Sequence, residues 1–181
     1  MKKHIFTTLI LCTFLSLTAL AQTEQGTKLV GGNASIRFND PFTINLSPDF
    51  GIFVANHIAV GGMAQVYYIS TDNGHTTALG LSPFFRYYFG KDNPTRFFAQ
   101  VNTGLTHYWY SSDFGGREYK SSYNSTNVGL GLGLVHFLTE QVGLEAVLAY
   151  NYNAYSNSSN SNAGAVTLNV GFQIYLPSKT K

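Results

Sequence analysis

Cysteine is nearly absent from this 181-residue chain: the single residue is Cys12, so no disulfide can form within it. Charge is scarce as well, at 11% of residues against about 25% in ordinary soluble domains. That shortage excludes the usual charged exterior of a cytosolic protein. No basic cluster suggests nucleic acid. After Ala21 no run of 18 apolar residues remains, which excludes a transmembrane helix in that part. The 3.6-residue periodicity of amphipathic helices is missing too. What is abundant is Tyr, Phe and Gly, with aromatics at 15%, spread among neutral polar residues.

The first residues, MKKHIFTTLILCTFLSLTALAQ, have the layout of an export signal. Lys2 and Lys3 form a basic start, Ile5–Leu17 an apolar core, and Ala19-Leu20-Ala21 a small-residue cleavage site. The core is too short for a membrane anchor. Residues 1–21 are expected to be removed, leaving residues 22–181 as one domain. Cys12 leaves with the signal, and Leu9-Ile10-Leu11 before it lack the small residue of a lipoprotein site. Without Lys2 and Lys3 the basic residues fall from 11 to 9 and match the 9 acidic ones.

Beyond the signal, apolar residues recur every second position, the period of a β-strand. Eight segments follow: 28–38, 43–54, 58–70, 79–90, 97–110, 127–135, 142–152 and 165–176. Each is about 9–14 residues, long for a soluble strand and suited to a tilted bilayer crossing. Between them, tight connections such as Ala55-Asn56-His57 alternate with polar ones: TDNGHT, SSDFGGREYKSSY (Ser111–Tyr123) and the stretch Ala154–Ala163. This layout predicts an eight-stranded antiparallel up-and-down barrel, all-β, with both termini periplasmic.

Side-chain volume decides which face lies inside. The lumen of an eight-stranded barrel is only just filled by side chains. Some thirty large apolar residues would not fit there, whereas the glycines and small polar residues of the other face would. The other face would also make a poor soluble exterior. The apolar face is therefore expected to meet lipid, with aromatics near the strand ends as interfacial girdles.

Several stretches resemble a known family: PFFRYYF (Pro83–Phe89), GLGLGLVHFLTEQVGLE (Gly129–Glu145) and VTLNVGFQIYL (Val166–Leu176). With the leader they are similar to small outer-membrane β-barrel proteins, the opacity-, OmpA- and PorT-like barrels of the Bacteroidota type. The resemblance implies residence in the cell outer membrane. It implies outer-membrane lipid and lipopolysaccharide as surroundings, and the barrel assembly machinery as a partner during insertion. It also implies a structural or surface-interaction role through the loops Ser111–Tyr123 and Ala154–Ala163. A small-solute channel and a lipid A-modifying hydrolase are the alternatives.

Chemistry-bearing motifs are few. No two histidines have metal-ligand spacing, and Gly129–Gly133 lies in a strand rather than a phosphate loop. Neither a cofactor nor a catalytic group is expected. The hydrolase alternative would need His107 and Ser111, which share a strand face, with Asp113 or Glu118 as the acid.

One charge falls inside an otherwise apolar segment. Arg86 has the opposite parity to Leu81, Phe85 and Tyr87, so its guanidinium is expected to point into the barrel, where it needs a partner. Glu145 is the clear carboxylate of inward parity, and it lies at similar depth near the short-turn end. The expected interior ion pair is Arg86–Glu145.

Overall fold

The computed structural model describes residues 23–37, 41–90, 93–155 and 163–178, without the side chains of residues 35–37, 114 and 163. The expected export signal, Lys91 and the NSSNSN run at 157–162 lie outside the described residues.

The period-two pattern folds into eight antiparallel strands. They are β1 (Lys28–Arg37), β2 (Phe42–Ala55), β3 (Ile58–Thr71), β4 (Gly74–Phe89), β5 (Thr95–Phe114), β6 (Arg117–Phe137), β7 (Val142–Tyr155) and β8 (Ala163–Leu176). Each pairs with its neighbours in sequence, and β8 returns to β1, closing the barrel. The all-β, eight-stranded antiparallel fold is therefore the one that the alternation predicts. Among the described residues no helix is long and apolar enough to cross a membrane.

The two faces separate as parity requires. Among the described residues thirty large hydrophobic side chains are exposed on the barrel and eleven hydrophobic residues are buried. Leu81 and Leu168 are 70% and 69% exposed. A water-soluble protein rarely shows a continuous apolar surface of this extent.

The strands are longer than the hydrophobic pattern suggests, and the polar connections correspondingly shorter. The stretch Ser111–Tyr123, expected as a loop, is instead the tip of a hairpin: β5 and β6 stay paired to Phe114↔Arg117. Gly115 and Gly116 make the turn, with φ of 61° and 80°. Two successive positive φ values are what a two-residue type I′ turn demands. In the same way TDNGHT shrinks to Asp72 and Asn73, between Thr71 and Gly74, which remain paired.

Pairing is uneven around the barrel. The β5–β6 ladder holds twenty residue pairs, from Thr95↔His136 to Phe114↔Arg117. The closing β1–β8 ladder holds six, from Lys28↔Leu176 to Asn33↔Gly171.

The end bearing the β2–β3, β4–β5 and β6–β7 turns, called the lower end below, is filled. Leu29, Phe53, Tyr88, Phe98, Val135, Phe137 and Tyr175 form its buried core. Beneath them residues 23–27 cross the opening. Backbone bonds from Gly26 N to Phe53 O (2.8 Å) and from His57 N to Thr23 O (2.8 Å) hold this segment. Arg96 donates to Thr23 Oγ1 and covers the Phe137 ring.

Candidate functional site

The inward residues of the eight strands define the candidate site, a lumen that is closed below and open in its upper half. Its floor is built around Arg86. Alternation along β4 turns Phe84, Arg86 and Tyr88 inward while Phe85, Tyr87 and Phe89 point out. The Arg86 guanidinium lies between two rings, 4.8 Å from the Phe84 centroid and 4.9 Å from that of Phe98. Such stacking uses the faces of the planar cation and leaves its edge for hydrogen bonds.

Every edge position of the guanidinium has a partner. Nε donates to Gln100 Oε1 at 2.6 Å. Nη1 lies 3.2 and 3.1 Å from the two oxygens of Glu145, and Nη2 lies 3.5 Å from Asp49 Oδ2. The structure thus brings Arg86 and Glu145, both named from parity, into contact, 4% and 7% exposed.

Parity reasoning overlooked Asp49. In β2 the outward residues include Leu46, Phe50, Ile52 and Val54, so the odd-numbered Asp49 also faces inward, and Glu145 is not the sole inward carboxylate. The second-layer bonds fix both acids. Gln173 Nε2 donates to Asp49 Oδ1 at 2.8 Å, and Tyr175 Oη donates to Glu145 Oε1 at 3.1 Å. Tyr175 Oη in turn lies 3.2 Å from Tyr88 Oη. One cation is shared by two carboxyl groups, and the network merges downward into the aromatic core.

Above this floor the interior is not filled by side chains, contrary to expectation. A cavity of about 570 Å³ reaches from Arg86, Asp49 and Glu145 up to Tyr123 and Tyr155 near the hairpin end. Its wall is dominated by amides, hydroxyls and small residues, and the floor groups are the charged residues that line it. Glycines make the room. A Cβ at Gly129 would lie 2.6 Å from the side-chain oxygens of both Asn102 and Asn151. Three tyrosines from adjacent strands ring the upper part. Tyr108 and Tyr123 stack with centroids 4.8 Å apart and planes at 8°, and Tyr155 lies 5.9 Å from Tyr123.

The residues of the hydrolase alternative do not assemble. Ser111 Oγ donates to Glu118 Oε1 at 3.2 Å, while His107 Nδ1 lies 2.6 Å from Asn124 Oδ1. Four residues of extended strand separate His107 from Ser111, roughly 13 Å at the usual rise, so no Ser–His hydrogen bond forms. Lys120 Nζ sits 2.9 Å from Glu118, a contact that lowers the Glu118 carboxyl from its ordinary range. Asp113 Oδ1 instead accepts from Gly116 N in the hairpin turn. Among the described residues no group of three or more His, Cys, Asp or Glu side chains could hold a metal ion.

Solved structures share this fold at low identity. Neisserial surface protein A is 18% identical, with 83% of this chain and 94% of that one covered and a TM-score of 0.52. Ail, the attachment invasion locus protein of Yersinia pestis, is 14% identical, with 84% and 99% covered and a TM-score of 0.53. Both likenesses are of fold alone. The search of curated proteins gives no match. At the level of sequence, residues 8–176 match the family described as "Domain of unknown function (DUF2715)", and the chain belongs to that family.

Proposed function

We propose that the protein is an integral outer-membrane barrel with a structural or surface-interaction role. In this reading it is exported with loss of residues 1–21, surrounded by outer-membrane lipid and lipopolysaccharide, and inserted by the barrel assembly machinery. The observation that carries the proposal is the inverted surface. Large apolar side chains cover the outside of a closed barrel, and closure leaves no unpaired strand edge in hydrocarbon. The interacting element is the β5–β6 hairpin, which extends the barrel wall with exposed Arg117, Glu118, Tyr119 and Lys120.

A diffusion pore is disfavoured by the lower end. There the Arg86 network, five aromatic rings in tilted or edge-on contact and the 23–27 segment occupy the section of the lumen. Planar-bilayer recording of the purified protein tests this: the expected trace shows no steady conductance. A large, persistent open level would replace the surface-protein reading with transport.

Membrane insertion itself is tested by gel migration in detergent. The unheated protein should run faster than the boiled one, as compact barrels do. On intact cells, an amine-reactive reagent should modify Lys120, and protease should cut at Arg117. Protection of both residues on intact cells, with reaction after lysis, would reverse the topology.

A further inference from the structure

The upper lumen holds unspent hydrogen-bonding capacity. Asn102 is 7% exposed, lines the cavity, and its side-chain amide has no hydrogen-bond partner among the described residues. Asn33 and Asn153, on other parts of the same wall, also lack a side-chain partner there. An amide that faces the cavity without a protein partner keeps its donor and its acceptor for whatever fills the lumen. Each of these amides offers a donor and an acceptor side by side, and Asn151, whose Nδ2 donates to Thr167 Oγ1 at 3.1 Å, keeps its Oδ1 as an acceptor. A vicinal pair of hydroxyls presents the same complementary pair. The three tyrosine rings above the amides supply apolar faces for the C–H side of a sugar ring.

Charge selects among small polar ligands. The Arg86 edge is already engaged by Gln100, Glu145 and Asp49, so the floor presents no free cation to a carboxylate or phosphate. The remaining wall is neutral. At about 570 Å³ the cavity falls within the ordinary range for small-molecule sites, about 300–1,000 Å³.

We propose that the upper lumen is a binding site for a neutral carbohydrate, a mono- or disaccharide, held by Asn102 and Asn151 under the Tyr108–Tyr123–Tyr155 rim. Gly129 is the positioning residue, because its missing Cβ lets the two amides converge. The inference does not depend on the membrane reading, since the closed barrel itself forms the lumen.

The test is isothermal titration of the folded full chain in a zwitterionic detergent without sugar headgroups. Glucose, N-acetylglucosamine, maltose and N,N′-diacetylchitobiose are the probes, with glycine as the zwitterionic comparator. Saturable binding of at least one sugar is expected, weakened tenfold or more by Asn102→Leu and by Gly129→Ala. Heat-modifiable migration reports that each variant is folded. If Asn102→Leu does not fold, Gly129→Ala carries the comparison, because its added carbon meets the movable amide tips. In the unsubstituted protein, side-chain amide resonances of Asn102 and Asn151 should shift on titration. The proposal is overturned if no sugar binds the folded protein, if binding survives in Gly129→Ala, or if glycine binds more tightly than every sugar.

Discussion

The lower and upper halves of the lumen are made by the same eight strands with the same alternation, yet one is packed and the other hollow. Below, the inward positions are Phe53, Tyr88, Phe98, Phe137 and Tyr175 with two buried arginines, Arg86 and Arg96. Above, they are Asn33, Asn102, Thr106, Asn151 and Thr167 around open space. The strand pattern sets which way side chains point, and their size alone decides whether the barrel is a plug or a cup. Tight packing and open volume are thus assigned to different heights of one wall.

The largest effect should come from breaking the floor. Arg86→Ala leaves two buried carboxyl groups facing each other without their cation, a loss on the order of 3–5 kcal/mol. Urea unfolding in micelles, followed by the gel-mobility shift, measures it. Glu145→Ala should cost less, because Asp49 still faces the guanidinium. The double substitution should lose less than the sum of the two. Strict additivity would mean that Arg86 and Glu145 act independently, despite their 3.1 Å separation.

Overpacking sharpens the contrast at the next level. A Cβ on Gly133 would lie 2.6 Å from Phe98 Cε2 inside the filled half, whereas Gly62 has nothing within 4 Å of its Cβ position. Gly133→Ala should therefore destabilise by about 1–3 kcal/mol, while Gly62→Ala leaves the urea midpoint unchanged. Equal midpoints for the two variants would show that the lower half yields more easily than its packing implies.

In the upper half the same measurement should move little. Asn102→Ala removes an amide with no protein partner, so its effect on unfolding should stay within about 0.5 kcal/mol. A cost approaching that of Arg86→Ala would make the cup a structural network rather than an open site.

The smallest effect belongs to the hairpin. Glu118 is exposed, and its carboxyl is lowered chiefly by its hydrogen bond with Lys120. The folded form thus holds its proton less tightly than the unfolded chain. Its stabilisation is complete above the unfolded carboxylate range and fades as pH falls through the lowered folded value. A side-chain NMR titration should show the Glu118 midpoint returning upward in Lys120→Met, with no measurable change in the unfolding midpoint.

How much of this was legible beforehand depended on which physical rule governed each part. Strand number, closure and the facing of each side chain follow from alternation, because a one-residue slip would turn every apolar group inward. Strand ends were misplaced where polarity stood in for conformation. Ser111–Tyr123 contains no aliphatic residue and reads as loop, yet its two halves pair as β5 and β6 down to the two-glycine turn. The Gly115-Gly116 pair was the signal available. Asp49 was equally legible, since its parity matches Ser47 and Phe53. The sandwich of Arg86 between Phe84 and Phe98 was not, because it depends on strand stagger that no single-strand pattern contains. Nor does sequence reveal a void: the cavity is set by volumes summed across eight strands.

The contrast between a twenty-pair β5–β6 ladder and a six-pair β1–β8 seam bears on the order in which the barrel is made. The hairpin joins neighbours across two residues and can zip from its turn outward, whereas the seam joins opposite ends of the chain and must wait for every other ladder. Closure is then expected to be the last step of assembly. Until it happens, β1 and β8 are both open edges, able to recruit a strand from another chain. Before Lys28 meets Leu176, those two strands are the edges at which pairing with another chain is open.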